Sequence, residues 1–282
     1  MTSPTRVVLL TALAMLAFAG NSLLCRIALR DTAIDPASFT ALRIGSGALI
    51  LALLLRSRGA RPATGGSWMA ALALFSYAAF FSFAYRELSA ATGALLLFGA
   101  VQMTMMGFGL FSGERLGGIK LVGLAVALGG LVALLLPGLS APPAAGAALM
   151  AAAGISWGVY SILGKSLGEP IAATGGNFMR ALPFAAALAL TAVNHSSIDL
   201  HGAAYAIASG AVTSGLGYVI WYAALPSLKA TQAAIVQLSV PAIAALGGAL
   251  LLAEPITGRL LLASAAILGG IALTTMGKRP AK

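Results

Sequence analysis

Apolar runs alternate with short polar breaks along the whole chain. They fall at Val7–Leu24, Ser38–Leu55, Trp68–Tyr85, Ala90–Phe111 and Leu121–Leu136, and resume after a charge-free connection, Pro137–Pro143. The second series is Gly146–Leu163, Ala172–Val193, Ala203–Ala224, Ala230–Ala253 and Leu260–Met276. Each run is near the roughly 20 residues with which a helix spans about 30 Å of hydrocarbon. An isolated run in lipid can satisfy its own backbone polar groups only as a helix. The pattern predicts an all-α membrane protein with ten transmembrane helices.

The pattern is also stated twice. Leu88–Leu131 aligns with Leu228–Ile271 at a shift of 140 positions, over 44 residues without a gap. The identical pairs are Leu88/Leu228, Ala90/Ala230, Ala94/Ala234, Gly107/Gly247, Leu110/Leu250, Glu114/Glu254, Gly118/Gly258, Leu121/Leu261, Ala125/Ala265, Leu128/Leu268, Gly129/Gly269 and Gly130/Gly270. Chance would match roughly a tenth of positions in an Ala/Leu/Gly-rich chain, so this excess marks an internal repeat. The expected halves are residues 1–137 and 143–282, with five helices each. Five is odd, so the second half enters the membrane in the opposite direction. Two inverted five-helix repeats around a central cavity are an architecture of alternating access, with the substrate site at the repeat interface near mid-membrane.

Charge sets the expected orientation. With the N-terminus inside, Arg6, Arg56, Arg58, Arg61, Arg115, Lys120, Lys165, Lys229, Lys278, Arg279 and Lys282 are cytoplasmic, against Arg26, Arg30, Arg86 and Arg259 outside. That asymmetry predicts both termini in the cytoplasm. Ala17-Phe18-Ala19 has the form of a signal-peptidase site, but removing the first run would leave one repeat with four helices, so it is read as retained. Glycines such as Gly123, Gly129–Gly130 and Gly269–Gly270 offer small surfaces for helix packing.

Composition agrees: the chain is 60% hydrophobic and 9% charged, with a mean hydropathy of +0.97. A net charge of +10 is dispersed among short loops, which is the ordinary excess of cytoplasmic loops and not a nucleic-acid surface. The single Cys25 excludes an intrachain disulfide.

No catalytic constellation emerges, and no cofactor or metal is expected. His195, His201 and Asp199 share one polar connection, better read as a solvated loop than a metal site. The acids Asp31, Asp35, Glu87, Glu114, Glu169, Asp199 and Glu254 all map to loops or span ends. Candidate substrate-binding residues are the polar and aromatic positions inside the runs: Asn21, Ser22, Ser76, Tyr77, Gln102, Trp157, Tyr160, Asn177, Arg180, Tyr218, Trp221 and Gln237. Arg43 and Arg180 are the intramembrane charges, costly enough to be functional hypotheses by default. Arg180 is the favoured ligand for a substrate carboxylate; snorkelling or carbonyl bonding competes for both, more strongly for Arg43. The pairs Trp157/Tyr160 and Tyr218/Trp221, three residues apart, each put two aromatics on one helix face.

Ser156-Trp157-Gly158 with Lys165 seven residues after the glycine, then Arg180, then Leu252-Ala253-Glu254-Pro255-Ile256-Thr257 running to Leu268-Gly269-Gly270, resembles the EamA repeat of the drug/metabolite transporter superfamily. The first half is looser: Ala19-Gly20 lacks the Trp, Arg26 stands six after Gly20, Arg115 follows Glu114, and Val101 stands where the second copy has Pro241, so an unwound or kinked site in that repeat is altered. Ser76-Tyr77, Trp157 with Tyr160, and Tyr218 with Trp221 look like the pattern of YddG-type exporters of aromatic amino acids and methionine. The resemblance implies a ten-helix basket in the bacterial inner membrane, exporting amino acids or similar amphipathic metabolites; membrane lipid is the expected surrounding partner and a monomer the expected working unit. Transport of another small metabolite or drug, such as a nucleotide sugar or purine, is the alternative. A membrane-embedded enzyme would need a His/Asp or metal-ligand cluster at membrane depth.

Overall fold

The computed structural model describes residues 4–59, 65–113, 117–136, 138, 141–164, 169–228, 233 and 236–276. Among them ten helical rods follow in order: α1 (Pro4–Asp31), α2 (Pro36–Ser57), α3 (Trp68–Tyr85), α4 (Ala90–Phe111), α5 (Gly118–Leu135), α6 (Ala144–Gly164), α7 (Pro170–Thr191), α8 (Leu200–Ser227), α9 (Ser239–Leu252) and α10 (Gly258–Met276). Seven of these, α1 to α6 and α8, are long and apolar enough by themselves to cross a membrane. Glu114, Arg115, Lys165, Lys229 and the basic C-terminal residues lie outside the described residues.

The polar residues between the runs start the helices. Asp35 accepts from the amides of Ala37 and Ser38 at the head of α2, Ser67 from Ala70 in α3, and Ser89 from Thr92 in α4. Glu169 takes the amides of Ile171 and Ala172, and Asp199 that of Gly202. Each cap satisfies amides that have no partner within the helix. Asp35 and Asp199 also join the halves, since Asp35 accepts from Ser197 and Asp199 from Ala33. Burial alone would raise the Asp35 carboxyl, but bonds from Ser38, Ser197 and Ala37 outweigh it and hold the pKa below the ordinary value.

Helix packing shows the inverted repeat. Three pairs, α2 with α7, α4 with α9 and α5 with α10, map onto themselves when each helix is exchanged for the one five places away. Other close pairs exchange with each other: α3 on α6 with α1 on α8, α4 on α6 with α1 on α9, and α3 on α7 with α2 on α8. Direction inverts as well. The C-terminal end of α1 meets the Tyr85–Arg86 corner through Arg26, and that corner is where the N-terminal part of α6 sits, with the Gly146 amide donating to Glu87. Thus α1 runs toward the end of the bundle from which α6 departs. That end is called the Arg26 end below, and the opposite one the Gly65 end.

Close approach of small residues holds the outer pair. A Cβ on Gly123 would lie 2.6 Å from the Gly270 carbonyl, one on Gly270 would lie 2.5 Å from that of Gly123, and one on Gly130 would meet Ala266 at 2.7 Å. Gly129 and Gly269 face open space. Each duplicated Gly-Gly pair therefore puts one glycine into the α5–α10 seam, where contact of backbones drives association in lipid.

Two elements differ from the expected runs. The middle of α8, Ser209–Leu216, is a π-helix. Its small residues let α8 press on α2: a Cβ on Gly215 would lie 2.5 Å from Ile50. The ninth run is helical at Gln237, turns at Leu238 and restarts as α9 at Ser239. Pro241 accounts for the break, because it has no amide for the Gln237 carbonyl and its ring crowds that oxygen. In the first repeat, Val101 lies inside the unbroken α4.

Candidate functional site

Asn21 organises the centre of the bundle. Its Oδ1 accepts from Ser209 Oγ at 2.7 Å and Thr213 Oγ1 at 3.3 Å, two hydroxyls one turn apart in α8. Its Nδ2 donates to the Tyr77 hydroxyl at 3.2 Å, drawing α3 into the same network. The Tyr77 oxygen also accepts from Arg43 Nη2 at 3.1 Å, while Arg43 Nε donates to Ser214 Oγ at 3.3 Å. Arg43 is 1% exposed. Its guanidinium carbon stands 5.0 Å from the Tyr77 ring centroid and 4.9 Å from that of Phe81, within cation–π range.

Aromatic rings surround this polar knot. Trp157 on α6 packs against Tyr77 at 4.8 Å, Tyr160 at 5.2 Å and Tyr218 at 5.2 Å between centroids. Phe18 on α1 meets Tyr218 and Trp221 edge-on, at 5.9 and 6.0 Å. Between them lies a cavity of about 30 Å³ bounded by Phe18, Asn21, Ser22, Tyr77, Phe81, Leu97, Phe98, Trp157, Thr213, Tyr218 and Gln237. Its wall draws on both repeats. Small-molecule sites measure roughly 300–1,000 Å³, whereas about 10–15 Å³ of such space suffices for a water. In this conformation the cavity has room for a water molecule and not for a metabolite.

The EamA-like transporter family matches the chain twice, over residues 5–136 and 144–276. The chain belongs to that family. An uncharacterised protein of Pseudomonas aeruginosa is 62% identical over 270 residues, covering 95% of this chain and 94% of its own length. An uncharacterised transporter of Archaeoglobus fulgidus is 28% identical over 251 residues, covering 83% of this chain and 84% of its own. One crystal structure superposes with a TM-score of 0.66 at 20% identity, covering 96% of this chain and 97% of the other; at that identity it shows the fold.

The transporter thus gathers Asn21, Ser22, Tyr77, Trp157, Tyr218 and Gln237 around one cavity, all named from sequence. Tyr160 and Trp221 are not part of the wall, but each packs against one of its rings, Tyr160 tilted on Trp157 and Trp221 edge-on to Phe18. Ser76 and Gln102 are half-buried and outside the wall. Asn177 and Arg180 also lie outside it. Arg180 Nη1 donates to the carbonyls of Gly65 at 2.5 Å and Gly176 at 3.1 Å. Asn177 Oδ1 accepts from the Ser67 amide at 2.8 Å. Both residues hold the loop before α3 against α7, and a Cβ on Gly66, whose φ is +80°, would clash with the Asn177 backbone at 2.9 Å.

Arg43, not Arg180, is the charge beside the cavity. Phe18, Phe81, Leu97, Phe98 and Thr213 were not singled out from the sequence, although Ser209 and Thr213 one turn apart amid glycines were a readable signal of a polar helix face.

A clamp ties the two repeats together at the Arg26 end. Glu254, in the α9–α10 link, pairs with Arg26 Nε at 2.9 Å with side-chain exposures of 7% and 13%. Its other oxygen takes the Ala90 amide at 2.8 Å, in the first turn of α4. Arg26 Nη1 donates to the carbonyls of Tyr85 and Arg86, and Arg30 Nη1 to that of Leu252 at 2.8 Å. The run of α1 beyond its expected end at Leu24 serves this clamp. Ala253, at φ 51°, makes the left-handed turn that lets the Glu254 amide reach back to the Gly248 carbonyl.

Proposed function

We propose that the protein exports amino acids, with aromatic amino acids and methionine the preferred cargo, from the bacterial cytoplasm by alternating access. The observation that carries this reading is the wall of the central cavity. Phe18, Tyr77, Phe81, Phe98, Trp157 and Tyr218 supply an apolar, polarisable lining, while Asn21, Ser22, Thr213 and Gln237 supply a few hydroxyls and amides. Such a wall suits a substrate with an apolar or aromatic body and a small polar head. The loops carry the chain's basic excess on the N-terminal side, which supports an inner-membrane location with both termini cytoplasmic.

In this reading, the Glu254–Arg26 clamp opens when the cavity faces the Arg26 end, and the contacts of Arg180 and Asn177 with the loop before α3 open when it faces the other. The knot of Asn21, Tyr77 and Arg43 sits between the two closures. The protein works as a monomer, since both halves of the cavity come from one chain.

The test is counterflow in liposomes holding purified protein and loaded with single radiolabelled amino acids, with and without a pH gradient. Saturable exchange of phenylalanine, tryptophan or methionine is expected, weakened severalfold by Trp157→Ala. Absence of exchange for every amino acid under both conditions would remove the reading.

A further inference from the structure

Arg43 is a buried cation with donors to spare. A guanidinium has five N–H groups and no acceptor. Here Nε is used on Ser214 and Nη2 on Tyr77, while Nη1, itself buried, has no hydrogen-bond partner. No ion pair among the described residues involves Arg43. The groups around it are hydroxyls and rings, which orient and partly solvate a cation without neutralising it. An intramembrane charge left in that state is expensive, and a matching anion is the natural source of compensation.

The guanidinium also stands in the right place. Tyr77 and Phe81, whose rings it faces at about 5 Å, both form the cavity wall. It therefore lies beside that wall, and turning Tyr77 away as the cavity widens would free Nη2 and open the guanidinium, with its unpartnered Nη1, to the cavity. A planar guanidinium binds a carboxylate through parallel N–H groups, and a single cation matches one negative charge.

We propose that Arg43 selects cargo bearing one carboxylate, with Nη1 the donor left open for it. This deepens the proposed function and rests on the same cavity, but assigns charge selection to a residue outside its resting wall.

The experiment is a binding titration on the full chain in lipid nanodiscs, read by quenching of tryptophan fluorescence, to which Trp157 in the wall contributes. Two matched probe pairs are used: phenylalanine against phenylalaninamide, and 3-phenylpropanoate against 3-phenylpropanamide. The wild type is expected to bind the carboxylate of at least one pair tenfold or more tightly than its amide. Arg43→Gln is expected to bring that ratio below threefold, and Arg43→Lys to keep part of it.

A wild type without carboxylate preference in either pair overturns the proposal, whether or not the variants fold. So does a folded Arg43→Gln protein that keeps the full ratio. Preference for phenylpropanoate together with no binding of phenylalanine would support the assignment to Arg43 while removing amino acids as cargo.

Discussion

At the scale of single residues, the two intramembrane arginines stand in different surroundings. Both sit in apolar runs near a phenylalanine, and nothing local separates them. What separates them is distant: the Gly65–Gly66 turn comes close enough to α7 for its carbonyl to reach Arg180, while Tyr77 and Ser214, from two other helices, converge on Arg43. Removing the Arg180 donors should lower stability by about 1.5–3 kcal/mol, the range for hydrogen bonds to a charged group. Arg180→Ala is thus expected to lower the Tm while leaving carboxylate-over-amide selectivity unchanged. A stable variant with altered selectivity would return Arg180 to the cargo site. Asn21, Tyr77, Trp157 and Tyr218 were legible because an amide or a hydroxylated ring inside an apolar run must find a partner away from lipid.

At the scale of elements, helix number was legible and helix interruption only partly so. The apolar runs are set by bilayer thickness, a property of the solvent, so ten of them read directly from the chain. The break before α9 was signalled by Pro241. The π-helix in α8 was not, because it depends on how closely Gly210 and Gly215 let that helix approach α2. Two predictions belong here. Gly130→Leu should destabilise the α5–α10 seam by about 1–3 kcal/mol through overpacking, while Gly129→Leu, facing open space, should leave the Tm nearly unchanged; equal effects would mean that the seam is misplaced. Glu254→Gln keeps an acceptor for the Ala90 amide but removes the charge that holds Arg26. Cys25, next to Arg26 and 0% exposed, is a built-in reporter of opening at that end. Its alkylation by N-ethylmaleimide should quicken about tenfold in Glu254→Gln, the order expected for one lost charged hydrogen bond. An unchanged rate would show that the clamp does not control that end.

At the scale of the whole molecule, the duplication specified the architecture. A gap-free repeat with an odd number of helices per copy can be accommodated only by inversion, and the principal packing pairs exchange between the two halves. The sequence could not tell which ends are closed at one time. That choice rests on contacts that join the repeats, such as Arg26 with Glu254, Asp35 with Ser197 and Ser67 with Asn177. With ties at both ends and a cavity of about 30 Å³, this conformation is closed down around its centre, and opening either end requires one set of ties to break. Because an inverted repeat offers the same hinge in both directions, the two openings should exclude one another.

Electron–electron distance measurements on spin-labelled protein in nanodiscs test that claim most directly. Cys25→Ser provides the background, with labels at Arg86 and Ile256 across the Arg26 end, or at Arg56 and Ala223 across the other; all four positions are exposed. With a transported substrate present, two populations are expected, in which the long distance at one end accompanies the short distance at the other. Distances that lengthen at both ends together, or stay fixed at both while transport proceeds, would contradict it.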